Sequence, residues 1–127
     1  MQLAPRVEHL KTCTLLENAI SSATTLKTNY ERIVEAIPSH GRGSLYDTIE
    51  AIEAYSMLMQ RVFKMLCNGD YGPATLMQAY NLLYTGYERF ITSPRLPAKL
   101  RIYYYEVLNQ LRRLMQVADE GAAGLLP

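Results

Sequence analysis

The sequence predicts an all-α fold, an up-down-up-down four-helix bundle. Three observations lead there. Apolar residues recur at three-to-four spacing in four separate segments. Short breaks rich in proline, glycine and small polar residues divide those segments. No stretch shows the period-two alternation of a half-buried strand.

The first helix is expected from about Pro5 to Ile37, with Ala19, Ala23, Leu26, Tyr30, Ile33 and Ile37 on one face. The run Pro38-Ser39-His40-Gly41-Arg42-Gly43 breaks it. Ser44 then reads as an N-cap, with Asp47 in the first turn near the exposed amides. The second helix carries Leu45, Ile49, Ile52, Ser56, Met59, Phe63 and Leu66, and Asn68-Gly69-Asp70 stops it. Pro73 opens the third helix at a position where its missing N–H costs nothing. That helix shows Leu76, Ala79/Tyr80, Leu83, Tyr87 and Phe90 on one side. Ser93-Pro94-Arg95-Leu96-Pro97 ends it and starts the fourth, whose stripe is Leu100, Tyr104, Val107, Leu111 and Leu114. Gly121 reads as the stop, giving one domain over 1–120 and a loose tail over 121–127. Short connections between amphipathic helices imply antiparallel neighbours.

A chain of 127 residues, 49% hydrophobic and 20% charged, can bury a core of its own. The apolar content exceeds one stripe per helix. Ile102, Tyr103, Tyr104 and Tyr105 are consecutive, so at least one aromatic must face outward, and Tyr55, Leu58 and Val62 flank the main stripe of the second helix. Ten tyrosines without a tryptophan favour amphipathic contact surfaces, and spare apolar faces suggest burial against another subunit. Charge is uneven: residues 1–60 carry −2 and residues 61–113 carry +5. A basic half on a near-neutral chain points to an acidic partner, as an alternative to a plain solvated face. No apolar run reaches the length of a membrane span and no signal peptide is visible, so a cytoplasmic location without membrane association is expected.

Chemistry of the catalytic kind is hard to find. There is no Walker loop, no dinucleotide fingerprint and no nucleophile elbow. His9 and Cys13 share a helix face, but no further His/Cys pair completes a zinc set by sequence spacing, so no metal and no cofactor are expected. Cys13 and Cys67 read as free buried thiols in a reducing compartment, a single bridge being the alternative. The reading is therefore a protein that is not an enzyme. Tyr103 or Tyr105 among Arg89, Arg95, Lys99, Arg101 and Arg113 suits base stacking with phosphate contacts, although core packing is the commoner use of a tyrosine stripe.

Two stretches carry a resemblance. One is Pro38-Ser39-His40-Gly41-Arg42-Gly43-Ser44-Leu45-Tyr46-Asp47; the other runs from Leu76-Met77-Gln78-Ala79-Tyr80 through Tyr87-Glu88-Arg89 and Arg101-Ile102-Tyr103-Tyr104-Tyr105 to Leu111-Arg112-Arg113-Leu114-Met115. Together they resemble the Avd proteins, the accessory variability determinants of diversity-generating retroelements, and the wider four-helix-bundle family encoded in 23S rRNA intervening sequences. Pro38, Arg42, Leu45, Asp47, Leu76, Gln78, Ala79, Arg89, Tyr103, Arg113 and Leu114 match the pattern. The resemblance implies a homopentameric barrel of four-helix protomers. It also implies a non-catalytic role, binding a reverse transcriptase and its template RNA to support mutagenic cDNA synthesis and retrohoming. The expected contact set, chosen by charge, is Arg89, Arg95, Lys99, Arg101, Arg112 and Arg113. The alternatives are an rRNA-intervening-sequence-type bundle protein and a protein-only helical chaperone or adaptor.

Overall fold

The computed structural model describes residues 3–124, with the side chains of residues 6–38 and 40–118. Four α-helices follow one another: α1 (Leu3–Ala36), α2 (Gly43–Cys67), α3 (Pro73–Ile91) and α4 (Ala98–Gly124). A 3-10 turn at Ser39–Gly41 links the first two, and no strand occurs among the described residues. Helix α1 packs on α2 and α4, and α3 packs on α4 and α2, so the four close around one core as a bundle.

The breaks act as their chemistry requires. Gly72 is the N-cap of α3 and Pro73 its first residue. The Pro97 carbonyl accepts from the amides of Leu100 and Arg101, which starts α4. Gly69 has φ +128°, a conformation that a side chain disfavours, and it turns the chain after α2. The Arg42 guanidinium Nε donates to the Ile37 carbonyl at 3.0 Å and ties the α1–α2 turn. Two ends differ from expectation. Helix α2 begins at Gly43 with Arg42 as N-cap and no side-chain cap, so Ser44 lies inside the first turn rather than capping it. Helix α4 continues through Gly121 to Gly124, since one glycine costs a helix only about 1 kcal/mol and Ala122-Ala123 propagate it. The rest of the expected tail, 125–127, lies outside the described residues.

The core is built from Leu16, Ala19 and Ala23 of α1, Ile52, Tyr55, Met59, Val62 and Leu66 of α2, Leu76, Ala79 and Leu83 of α3, and the full expected stripe of α4. Two helices depart from the expected stripes. Val34 is buried while its neighbour Ile33 is 47% exposed. Tyr55 and Val62 lie fully in the core, so they do not belong to a spare outward face; Ser56 and Phe63 are only half-buried. The inward stripe of α2 keeps Ile49, Ile52, Met59 and Leu66 as expected and takes Tyr55 and Val62 in place of Ser56 and Phe63.

Cys13 and Cys67 are joined in a disulfide across 54 residues, with Cα atoms 5.9 Å apart. This corrects the expectation of free thiols. Both cysteines are half-buried where α1 meets the last turn of α2. Closing a loop of that length stabilises the fold by about 4 kcal/mol on the chain-entropy model.

An aromatic cluster sets the rotation of α4. The Tyr104 ring lies 5.5 Å from Phe90 and 6.3 Å from Tyr55. Its hydroxyl donates to the Leu83 carbonyl. The approach needs Gly86, where a Cβ would meet the Tyr104 oxygen at 2.7 Å. The Tyr55 hydroxyl, by contrast, is buried without a hydrogen-bond partner among the described residues, and burial pushes it well above the usual phenol range.

Two outcomes follow for urea unfolding. Tyr55→Phe should be neutral to stabilising by about 1 kcal/mol, because it removes an unsatisfied buried hydroxyl; a clear loss would mean that the hydroxyl has a partner. Gly86→Ala should destabilise by about 1–2 kcal/mol in the wild type. In a Tyr104→Phe background the same change should become stabilising by up to ~1 kcal/mol, through helix propensity alone. Equal effects in both backgrounds would contradict the Tyr104–Gly86 contact.

Candidate binding interface

Because Tyr104 points inward, the residues around it on α4 point outward. Ile102 is 60% and Tyr105 50% exposed, and Tyr84 of α3 is 58% exposed beside them. Tyr105 stands between two grooves. One, on the α1 side, is lined by Leu15, Arg101, Ile102, Asn109, Gln110 and Arg113 among others. The other, on the α3 side, is lined by Tyr84, Thr85, Tyr87, Glu88, Leu108 and Arg112. The expectation that at least one aromatic of the Ile102–Tyr105 run faces outward is met by Tyr105; Ile102 is exposed as well and Tyr103 is half-buried.

The expected basic residues fall into two groups. Arg101, Arg112 and Arg113 flank Tyr105. The Arg112 Nε donates to the Tyr80 hydroxyl at 3.0 Å, and its guanidinium carbon lies 5.8 Å from the centre of the Tyr80 ring. That hydrogen bond, with the neighbouring tyrosine hydroxyls, holds Arg112 above its ordinary pKa. Tyr80 stacks on Tyr84 at 5.9 Å, so an arginine-tyrosine-tyrosine ladder crosses from α4 to α3. Arg101 is half-buried, and its Nε is enclosed without a hydrogen-bond partner among the described residues. Arg113 reaches Glu8 at 3.7 Å.

Arg89, Arg95 and Lys99 lie instead around the α3–α4 turn. Arg89 sits 5.3 Å from the Phe90 ring centre, Arg95 pairs with Asp47 at 3.1 Å, and Lys99 is exposed. The first turn of α4 and Arg112 are separated by about 20 Å along the helix, so the six do not make one compact patch. Exposed pairs such as Arg95–Asp47 contribute between 0 and about 1 kcal/mol and exchange readily for another anion.

Glu8 is a buried anion that the sequence reading passed over. Only 7% of it is exposed. Gln110 donates to its carboxylate, with Lys11 at 3.6 Å and Arg113 at 3.7 Å. The Gln110 hydrogen bond first, then the two cations, hold its pKa below the ordinary 4.5 against the opposing effect of burial. It therefore anchors α1 to α4 directly behind the groove. Its helical spacing from Thr12 and Leu16, both buried, was the available signal.

The sequence reading also missed that Cys67 joins His9 and Cys13 at the far end of α2. The ligand atoms of all three lie within 4.8 Å of one another.

Compared with known proteins, the chain matches no family model, no curated protein and no solved structure. No helix among the described residues is long and apolar enough to cross a membrane.

Glu8 gives a pH signature. Its folded pKa is depressed, so its contribution is complete above the unfolded carboxylate pKa and is lost as pH falls through the folded value. Urea midpoints of the wild type should drop progressively as pH falls below the ordinary carboxylate value of 4.5. Glu8→Gln should remove part of that drop; an identical acid limb in the variant would mean that Glu8 is not held as an anion.

Proposed function

We propose that this chain is a non-catalytic binding subunit of the Avd type. In this reading it assembles with copies of itself, as a homopentamer, and engages a reverse transcriptase and its template RNA in a diversity-generating retroelement. The observation that carries it is the outward face of α4. There exposed Tyr105 and Ile102, with exposed Tyr84 of α3 across the neighbouring groove, stand among Arg101, Arg112 and Arg113.

Apolar and aromatic groups at half exposure suit a macromolecular contact. Arginines beside tyrosine faces suit nucleic acid, where guanidinium groups take phosphates and rings take bases. The second basic group at the α3–α4 turn, with Arg89, Arg95 and Lys99, extends the positive surface along α4. The four-helix architecture with short connections agrees with the protomer that the resemblance implies.

A protein-only adaptor is the second reading. Glu88 and Glu106 line the same grooves as the arginines, and mixed charge suits a protein partner better than a phosphate backbone.

Solution mass separates the two. An RNA-bearing assembly near five times 14.4 kDa, shrinking on nuclease treatment only by its RNA, supports the Avd reading. A nucleic-acid-free monomer overturns it and favours the adaptor. Replacing Lys99, Arg101 and Arg112 together with Gln should weaken RNA binding and lower the salt-dependence slope by roughly 2–3, with helicity unchanged. Arg113 is kept in that variant because it neutralises Glu8. An unaltered slope would remove these residues from the contact set.

A further inference from the structure

The cluster at the end of α2 has the composition of a metal site as well as of a crosslink. His9 and Cys13 are four apart on α1 and so stand on one face. Cys67 arrives from the last residue of α2. The ligand atoms of these three residues all lie within 4.8 Å of one another. The His9 Nε2 is 3.5 Å from the Cys13 sulfur and 2.6 Å from the Leu66 carbonyl oxygen, to which it donates. Tyr71 stacks on the imidazole with centroids 4.9 Å apart, which fixes the plane of the ring. His9, Cys13, Cys67 and Tyr71 are all half-buried, so the cluster is open to small solutes.

We propose that, with the disulfide reduced, His9, Cys13 and Cys67 bind a thiophilic divalent cation, Zn²⁺, through one imidazole nitrogen and two thiolates. Tetrahedral zinc with Zn–S of about 2.3 Å and Zn–N of about 2.05 Å sets a nitrogen-to-sulfur edge of about 3.6 Å. The His9–Cys13 separation of 3.5 Å already has that value. The two sulfurs need only part to a sulfur–sulfur edge of about 3.8 Å, a movement that rotation of the cysteine side chains supplies. A fourth, open position is left to water.

The chemistry balances. A small-molecule thiol acts as reductant: two of its molecules lose two electrons and two protons and become its disulfide, while the Cys13–Cys67 bond gains both and becomes two thiols. Zn²⁺ then displaces the two thiol protons to the medium, and the His9 proton moves from Nε2 to Nδ1, freeing Nε2 as the donor atom. The bond and the metal use the same sulfurs, so each excludes the other. Either one ties the N-terminal part of α1 to the end of α2. The site is independent of the α4 face, and its failure would leave the binding reading untouched.

The test uses Co²⁺ as a spectroscopic stand-in for Zn²⁺, on the full chain. Reduced, metal-free protein should take up one Co²⁺ per chain, with an intense thiolate-to-cobalt charge-transfer band that added Zn²⁺ abolishes. The oxidised protein should give no band. Cys67→Ser should lose it. His9→Gln keeps a donor for the Leu66 carbonyl but removes the imidazole, and should weaken binding by more than about tenfold, since loss of even an outer-shell partner costs 10–100-fold. Absence of the band in the reduced wild type, or equal affinity in His9→Gln, would overturn the proposal. If reduction itself melts the bundle, recovery of far-ultraviolet helicity on adding Co²⁺ supports the site, and no recovery overturns it.

Discussion

The hydroxyl of Tyr104 reaches over Gly86 to the Leu83 carbonyl, and that contact fixes how α4 is rotated against α3. A helix turns its side chains by about 100° per residue, so placing Tyr104 inward places Ile102 and Tyr105 outward. The same rotation sends Leu100, Val107, Leu111 and Leu114 to the core and Arg101, Arg112 and Arg113 to its margins. Phe90 and Tyr55 pack around the Tyr104 ring, which couples the phase of α4 to α3 and α2 together. The surface that the molecule offers is thus a consequence of one buried tyrosine fitting one notch.

On the other flank, α4 meets α1 through a polar contact. Gln110 holds the Glu8 carboxylate, and Arg113 and Lys11 neutralise it from the solvent side. Two kinds of fastening therefore border the α4 face, an aromatic one towards α3 and an ionic one towards α1. The disulfide fastens α1 to the last residue of α2. Between these anchors the outward tyrosines and arginines sit on helical backbone, so the surface is already arranged and any binding there would carry less ordering cost.

Most of the architecture was legible because proline and glycine act locally. Pro73 at the start of α3, Pro97 just before α4 and Gly69 after α2 stand where their backbone constraints put them. Helix phase was less legible. Ile33 and Val34 are both β-branched and apolar, and only packing decides that Val34 goes inside. Tyr55 reads as surplus surface beside the Ser56 position, yet its ring packs in the core against Phe90 and Tyr104. The outward aromatic on α4 was legible by counting, since four consecutive bulky residues exceed one inward face. The spacing of Glu8 from Thr12 and Leu16 signals its burial, but its partner Gln110 and the Cys67–His9–Cys13 cluster were not legible, because the contacts span 102 and 57 or 54 residues. The basic set was chosen by charge alone. The fold separates it into residues around Tyr105 and residues around the α3–α4 turn, a division that linear order conceals.

The face around Tyr105 is the proposed site of contact with partners. A photoreactive phenylalanine analogue placed at position 105, with a matched control at Met57 of α2, which is 73% exposed, tests it directly in the intact chain. Irradiation in cells should yield adducts at position 105 with RNA or with a second copy of the chain, and none of either at position 57. Adducts of equal yield at both positions, or none at position 105, would contradict it.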